Sequence, residues 1–157
     1  IFYSEKNTGR PFNPASKWTS KYLDLPNSPQ FPFGFGLSYT TFSYGETKVD
    51  KKTFRRGEPL HVSVAVTNTG SRDGEEVVQL YVRDLVGSVT RPVKELKGFQ
   101  KISLKAGEQQ EVKFTLTEND FAFFTRPMKF GAEPGEFDVM VGGSSENVKM
   151  VRVRMEE

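Results

Sequence analysis

From about Tyr39 onward the chain alternates apolar and polar residues with a period of two, which is the pattern of half-buried antiparallel strands. "LHVSVAVTN" sets Leu60, Val62, Val64 and Val66 on one face and His61, Ser63 and Thr67 on the other. "VVQLYVRD" turns Val78, Leu80 and Val82 inward, and "EVKFTLT" does the same with Val112, Phe114 and Leu116. Phe137, Val139 and Val141 follow in "EFDVMVG", and Val151 and Val153 in "KMVRVRM", where Arg152 and Arg154 point outward. A one-residue slip would turn any of these faces to water, so the pattern fixes both strand identity and register.

The breaks between these runs are "NTGSRDGEE", "KAGEQQ" and "AEPGE", each with glycine among polar neighbours, as tight connections require. With further strands expected near residues 41–49 and 93–104, the count reaches about seven, and no stretch shows a helical period. The expected fold is all-β, an immunoglobulin-like sandwich of two sheets around a common core. The chain lacks cysteine, so the expectation rests on strands and turns without the Cys…Trp…Cys mark of true immunoglobulin domains.

Residues 1–38 are different in kind and are expected to form an extended segment preceding a sandwich over residues 39–157. Pro11, Pro14, Pro26, Pro29 and Pro32 lie there, and proline at that density favours extended backbone with few internal hydrogen bonds. Aromatic residues are interleaved throughout, as expected of a structured linker lying on a neighbour. The segment ends in "FPFGFGLSYTTF", residues 31–42. Gly34 and Gly36 permit tight turning, while Phe31, Phe33, Phe35 and Tyr39 are expected to dock against a neighbouring domain.

Motifs that would carry chemistry fail on inspection. The glycines at 34 and 36 lack the third glycine and following helix of a dinucleotide fingerprint, and Gly36-Leu37-Ser38-Tyr39-Thr40 is not a nucleophile elbow. His61 is the only histidine and falls on an outward strand face without a nucleophile partner. The carboxylates Asp73, Glu75, Glu76, Glu108, Glu111, Asp120 and Glu133 lie in or beside turns, and no pattern pairs them for glycoside hydrolysis. "NTGSRDGEE" does not match the alternating ligand spacing of a calcium loop, so no metal and no cofactor is expected. The 22 basic and 20 acidic residues are well mixed, which argues against nucleic acid as a partner. The modest basic excess from Arg91 to Lys105 reads as a solvated strand face. No apolar run approaches the roughly 20 residues of a membrane-spanning helix. A chain opening at Ile1, with neither Met nor a leader, is expected to be a piece of a longer one. Trp18, Tyr22 and Tyr81, with Phe33 and Phe35, could stack on sugar rings, although burial against the sandwich or a neighbour is the commoner use of aromatics.

Taken in order, "TGRPFN", "FPFGFGLSYTTF", "VTNTGSRDGEEVVQLYVRD", "SVTRPVKELKGFQKISLKAGE" and "EPGEFDVMVGGSS" resemble the C-terminal end of glycoside hydrolase family 3 β-glucosidases of the bacterial periplasmic type. The resemblance runs through nearly the whole chain. It implies a fibronectin type III-like sandwich over residues 39–157, preceded over residues 1–38 by the tail of an α/β domain and a linker. In that family the nucleophilic aspartate and the acid/base glutamate lie in a barrel and an α/β domain, neither of which has a counterpart here. No catalytic residue is carried over. The resemblance implies a non-catalytic accessory domain packing on its parent's catalytic domains, in the periplasm or secreted. The alternative is a carbohydrate-binding module gripping polymeric glucan or xylan. Separated from its parent, the aromatic segment is expected to cause self-association or disorder over residues 1–30.

Overall fold

The computed structural model describes residue 13, residues 15–19 and residues 28–157. In chain order the elements are β1 (Phe42–Tyr44), β2 (Lys48–Val49), β3 (Thr53–Arg55), β4 (Leu60–Asn68), β5 (Gly74–Asp84), β6 (Glu95–Leu104) and β7 (Gln109–Leu116). They continue with α1 (Glu118–Phe121), β8 (Phe123–Phe124), β9 (Phe130–Gly131), β10 (Gly135–Gly142) and β11 (Val148–Glu156). One sheet carries β1 and β2 along one side of β4 and β7 along the other; the second has the order β3-β11-β10-β5-β6. β8 and β9 form a separate short hairpin.

The alternating residues face each other between the sheets as expected. Leu60, Val62, Val64 and Val66 meet Val78, Leu80, Val82, Phe137, Val139, Val141 and Val153 in one apolar cluster. Phe121 joins Phe54 and Phe137 there, with ring centroids 5.3 and 4.9 Å away. Glu75 and Glu76 point to opposite faces: Glu75 pairs with Lys101 at 2.6 Å, and Glu76 accepts a 2.6 Å hydrogen bond from the Tyr44 hydroxyl of the opposing sheet.

Three departures from the alternation have local causes. The strand expected over residues 41–49 is split, because Thr47 turns inward and its Oγ1 donates to the Lys149 carbonyl of the other sheet at 2.8 Å. A helical turn, α1, follows Thr117, whose N–H and hydroxyl both donate to Asp120 Oδ2, at 2.6 and 2.9 Å. The run Thr117-Glu118-Asn119-Asp120 carries that capping signal, but four residues are too few for a hydrophobic period to show. The basic run from Arg91 to Lys105 is a solvated face only at its far end, where Lys101 and Lys105 are exposed. Arg91, Lys94 and Lys97 side chains are only 20%, 20% and 18% exposed, with Arg91 and Lys97 sharing Glu95.

At one end of the sandwich Asn68, fully buried, joins both loops. Its Nδ2 donates to the carbonyls of Arg72 (2.8 Å) and Leu104 (3.1 Å), and its Oδ1 accepts from the Thr40 hydroxyl and the Gly70 N–H. Its own backbone N–H and carbonyl bond Glu108 and Gly107. Replacing Asn68 by Ala would leave several buried groups unpaired at once, and a loss of about 3 kcal/mol is expected in urea unfolding.

The Tyr44–Glu76 contact makes a second prediction. Burial raises the Glu76 carboxyl above its ordinary value of 4.5, partly opposed by the Tyr44 hydrogen bond, and burial raises the Tyr44 hydroxyl as well. A carboxyl raised on folding binds its proton more tightly in the folded state, so its contribution to stability declines as pH rises from about 4.5 through the folded value. Glu76→Gln keeps an acceptor and removes the titration. Its unfolding free energy, measured between pH 4 and pH 8, is expected to gain on that of the parent chain as pH rises.

Candidate functional site

The middles of β5 and β10 are buried on both faces. Their outward positions, Gln79, Tyr81, Asp138 and Met140, are each no more than 5% exposed, although alternation alone would turn them to water. The segment from Phe31 to Gly36 lies against this outer face. Phe35 N–H bonds the Pro32 carbonyl at 3.0 Å, closing a turn in which Gly34 has φ +78°. That left-handed position is natural only to glycine or asparagine. Packing demands glycine as well, since a Cβ at residue 34 would fall 1.9 Å from Gln79 Oε1 and 2.8 Å from the Tyr81 hydroxyl.

Gln79 makes the attachment. Its Nε2 donates to the Gly34 carbonyl at 2.9 Å and to the Gly143 carbonyl at 2.8 Å, and its Oε1 accepts from the Tyr81 hydroxyl. Ser145 N–H donates to the Phe33 carbonyl at 2.9 Å, and Lys94 Nζ donates to the Ser145 carbonyl. Phe33 meets the Tyr81 ring edge to face at 6.4 Å. The segment is therefore pinned through its backbone and the Phe33 ring, leaving the Phe31 and Phe35 side chains to point elsewhere.

Those side chains form an apolar surface. Phe31 and Phe35 pack together at 5.1 Å, and Phe31, Phe33 and Phe35 remain 64%, 47% and 47% exposed. Leu37 and Tyr39 are almost wholly exposed. The ladder adds Phe99, paired opposite Gln79, and Leu96, paired opposite Tyr81, both exposed on the same sheet face. The sequence points to the four aromatic residues Phe31, Phe33, Phe35 and Tyr39 but not to Phe99, Leu96 or Gln79. An exposed-strand position occupied by Phe99 was the available signal, and the amide of Gln79 looked like ordinary solvent-facing polarity.

The described sugar-stacking candidates differ in exposure. Tyr81 is 1% exposed, beneath Phe33, and has no face to offer a sugar; that expectation is corrected. Trp18 is 80% exposed in the turn over residues 15–19, where its N–H bonds Ser16 Oγ at 3.2 Å. Tyr22 lies outside the described residues. The carboxylates that might have served catalysis tie turns instead: Asp73 accepts from Ala106 N–H, Glu108 from Lys105 N–H and Glu133 from Ser88 N–H, at 2.7–2.9 Å. His61 lies outward, with Nδ1 3.1 Å from the Thr115 hydroxyl.

The replacement Gln79→Leu removes both amide donors and leaves the Gly34 and Gly143 carbonyls without the donor they share. A loss of about 2–3 kcal/mol is expected in denaturant unfolding. Hydrogen exchange at Phe35 should accelerate in the same variant, because its turn is released from the sheet.

Residues 76–145 match the model of the fibronectin type III-like domain. Over 151 residues the chain is 47% identical to a periplasmic beta-glucosidase of Salmonella typhimurium, covering 95% of this chain and 20% of that protein. It is 50% identical over 126 residues to a beta-xylosidase of Formosa agariphila, covering 80% of this chain and 17% of the relative. The structure superimposes on a beta-glucosidase from Listeria innocua, solved as the D270A mutant in complex with laminaribiose, with a TM-score of 0.89 and 41% identity. That match covers all of this chain and 22% of the other. The chain thus spans about a fifth of the length of the relatives it matches.

Proposed function

We propose that this chain, which matches the fibronectin type III-like domain family through residues 76–145, is the non-catalytic accessory module of a larger β-glucosidase-like hydrolase, in which it packs on and stabilises the catalytic portion. The observation that carries this reading is the Gln79-anchored segment. Its backbone is fixed by buried hydrogen bonds while Phe31, Phe33, Phe35 and Tyr39 are held out toward water. A fixed, contiguous apolar surface is what a docking face requires, and ordering it in advance lowers the entropic cost of docking. Residues 1–38 are the natural connection to the preceding domain, and residues 39–157 the sandwich. The parent is a retaining hydrolase, and the Salmonella relative, named a periplasmic beta-glucosidase, supports a periplasmic or secreted location. Relatives named for glucosides and for xylosides share this module, so the sugar is chosen elsewhere in the parent.

The exposed Trp18 supports the second reading, a module that grips polymeric glucan or xylan. Both are tested in the full-length hydrolase carrying Phe31→Ser, Phe33→Ser and Phe35→Ser together. Packing predicts that the unfolding temperature falls by at least about 3 °C and that heat inactivation accelerates, with kcat/KM on a soluble aryl glycoside unchanged at low temperature. Unchanged thermal behaviour would refute it. Loss of retention on insoluble glucan or xylan on replacing Trp18 by Ala, without a change in stability, would favour the second reading.

A further inference from the structure

Away from the aromatic segment, a second surface combines exposed apolar groups with backbone strain. The β8–β9 hairpin presents Phe124, Met128 and Phe130 at 61%, 77% and 59% exposure, and the neighbouring loop presents Val86 at 83%. Phe124 and Phe130 pack together at 5.2 Å. Met128 has φ +59°, and among the described residues it is the only non-glycine residue with a positive φ. An unbranched apolar side chain gains nothing locally from that conformation, which costs about 1 kcal/mol or more and is normally left to glycine or asparagine.

The tip is nevertheless held firmly. Met128 N–H donates to the Thr125 carbonyl, and Thr125 N–H and hydroxyl both donate to the Lys129 carbonyl, each at 2.9 Å. Arg126 N–H bonds Ser88 Oγ at 3.2 Å, fastening the hairpin to the loop after β5. That loop borders an open hollow of about 710 Å³, whose wall includes Arg83, Val86 and Arg126. Arg83, Arg126 and Lys129 form no ion pair among the described residues. The acidic groups nearby are engaged otherwise. Glu95 is shared by Arg91 and Lys97, Glu133 accepts from Ser88 N–H, Asp138 is taken by Arg152, and Asp84 Oδ1 accepts from Val86 N–H while its Oδ2 is buried without a hydrogen-bond partner among the described residues.

We propose that Met128, flanked by Phe124, Phe130 and Val86, is a preset knob that inserts into an apolar recess rimmed by carboxylates, supplied by the remainder of the same polypeptide. This makes a second contact, separate from the Phe31–Tyr39 surface, and it rests on the accessory-module reading given above. The occupant follows from charge and length. Three unpaired cations around four exposed apolar side chains call for an acidic rim around an apolar centre, and relatives extend to about five times the length of this chain.

The test uses the full-length hydrolase and Met128→Gly. This substitution relieves the backbone strain and removes the knob, so a tip that faces only solvent would leave the unfolding temperature unchanged or raise it. Insertion predicts the opposite sign, a fall of roughly 2–4 °C. Arg126→Glu should also lower it, by an amount that shrinks as salt rises. Hydrogen exchange of the full-length protein, read separately over residues 31–39 and 123–131, distinguishes the two surfaces. Concentration-independent protection of 123–131 by about tenfold or more, lost in Met128→Gly, is the expected result. Free exchange at 123–131 with protection at 31–39 overturns this proposal alone, and free exchange at both overturns the accessory-module reading too. Protection that grows with protein concentration assigns the knob to a second copy and overturns the intramolecular occupant.

Discussion

Burial of the middles of β5 and β10 on their outer as well as their inner faces is the constraint on which the arrangement depends. An antiparallel sandwich ordinarily leaves one face of each sheet in water, and a pair of strands buried twice needs a cover. Over Gln79 and Tyr81 the cover is the turn at residues 32–35, and over Asp138 it is the Arg152 side chain. The turn is irregular backbone, so its carbonyls need donors once they leave water. Gln79 supplies them from within the sheet, to Gly34 and Gly143 together, and Tyr81 in turn satisfies the amide oxygen. One carboxamide thereby joins three separate stretches of chain. Because it holds main chain rather than side chains, the phenylalanines of the cover stay available for contact.

How much of this was legible follows from the same constraint. Period-two alternation reports one buried face per strand, and wherever only one face is buried the sequence names the core correctly: Leu60 to Val66 in β4, Val112 and Leu116 in β7, Val153 in β11. Alternation carries no information about the second face. It therefore gives no sign that Gln79 and Asp138 are covered, and it left Tyr81 among the residues that could stack on a sugar, when all three are buried. Arg91, Lys94 and Lys97 were misread for the related reason that a charge looks the same whether it is hydrated or paired across a loop. The aromatic segment itself was legible, since no polar alternation explains four phenylalanines and a tyrosine in twelve residues. Its partner within the sandwich was not, because a contact between residues 34 and 79 leaves no local trace.

The two apolar surfaces are prepared in physically different ways. The Phe31–Phe35 surface obtains its order from a glycine that fits where nothing larger could, so close approach and left-handed backbone agree. At the β8–β9 tip the backbone and the side chain disagree, and four hydrogen bonds hold Met128 where its own preference would not. Agreement of local and global demands marks a structural joint; disagreement held in place marks a position kept for something outside the sandwich.

The position of β11 carries a consequence for how such a chain comes to be assembled. β11 lies between β3 and β10, paired parallel to one and antiparallel to the other, so two strands separated by some eighty residues meet only through it. During synthesis β3 and β10 both leave the ribosome before the strand that links them, and until Val148–Glu156 follows, each has an open hydrogen-bonding edge. Closure of this sheet is therefore a late event, and a message truncated within those nine residues would yield a chain whose sandwich stays open.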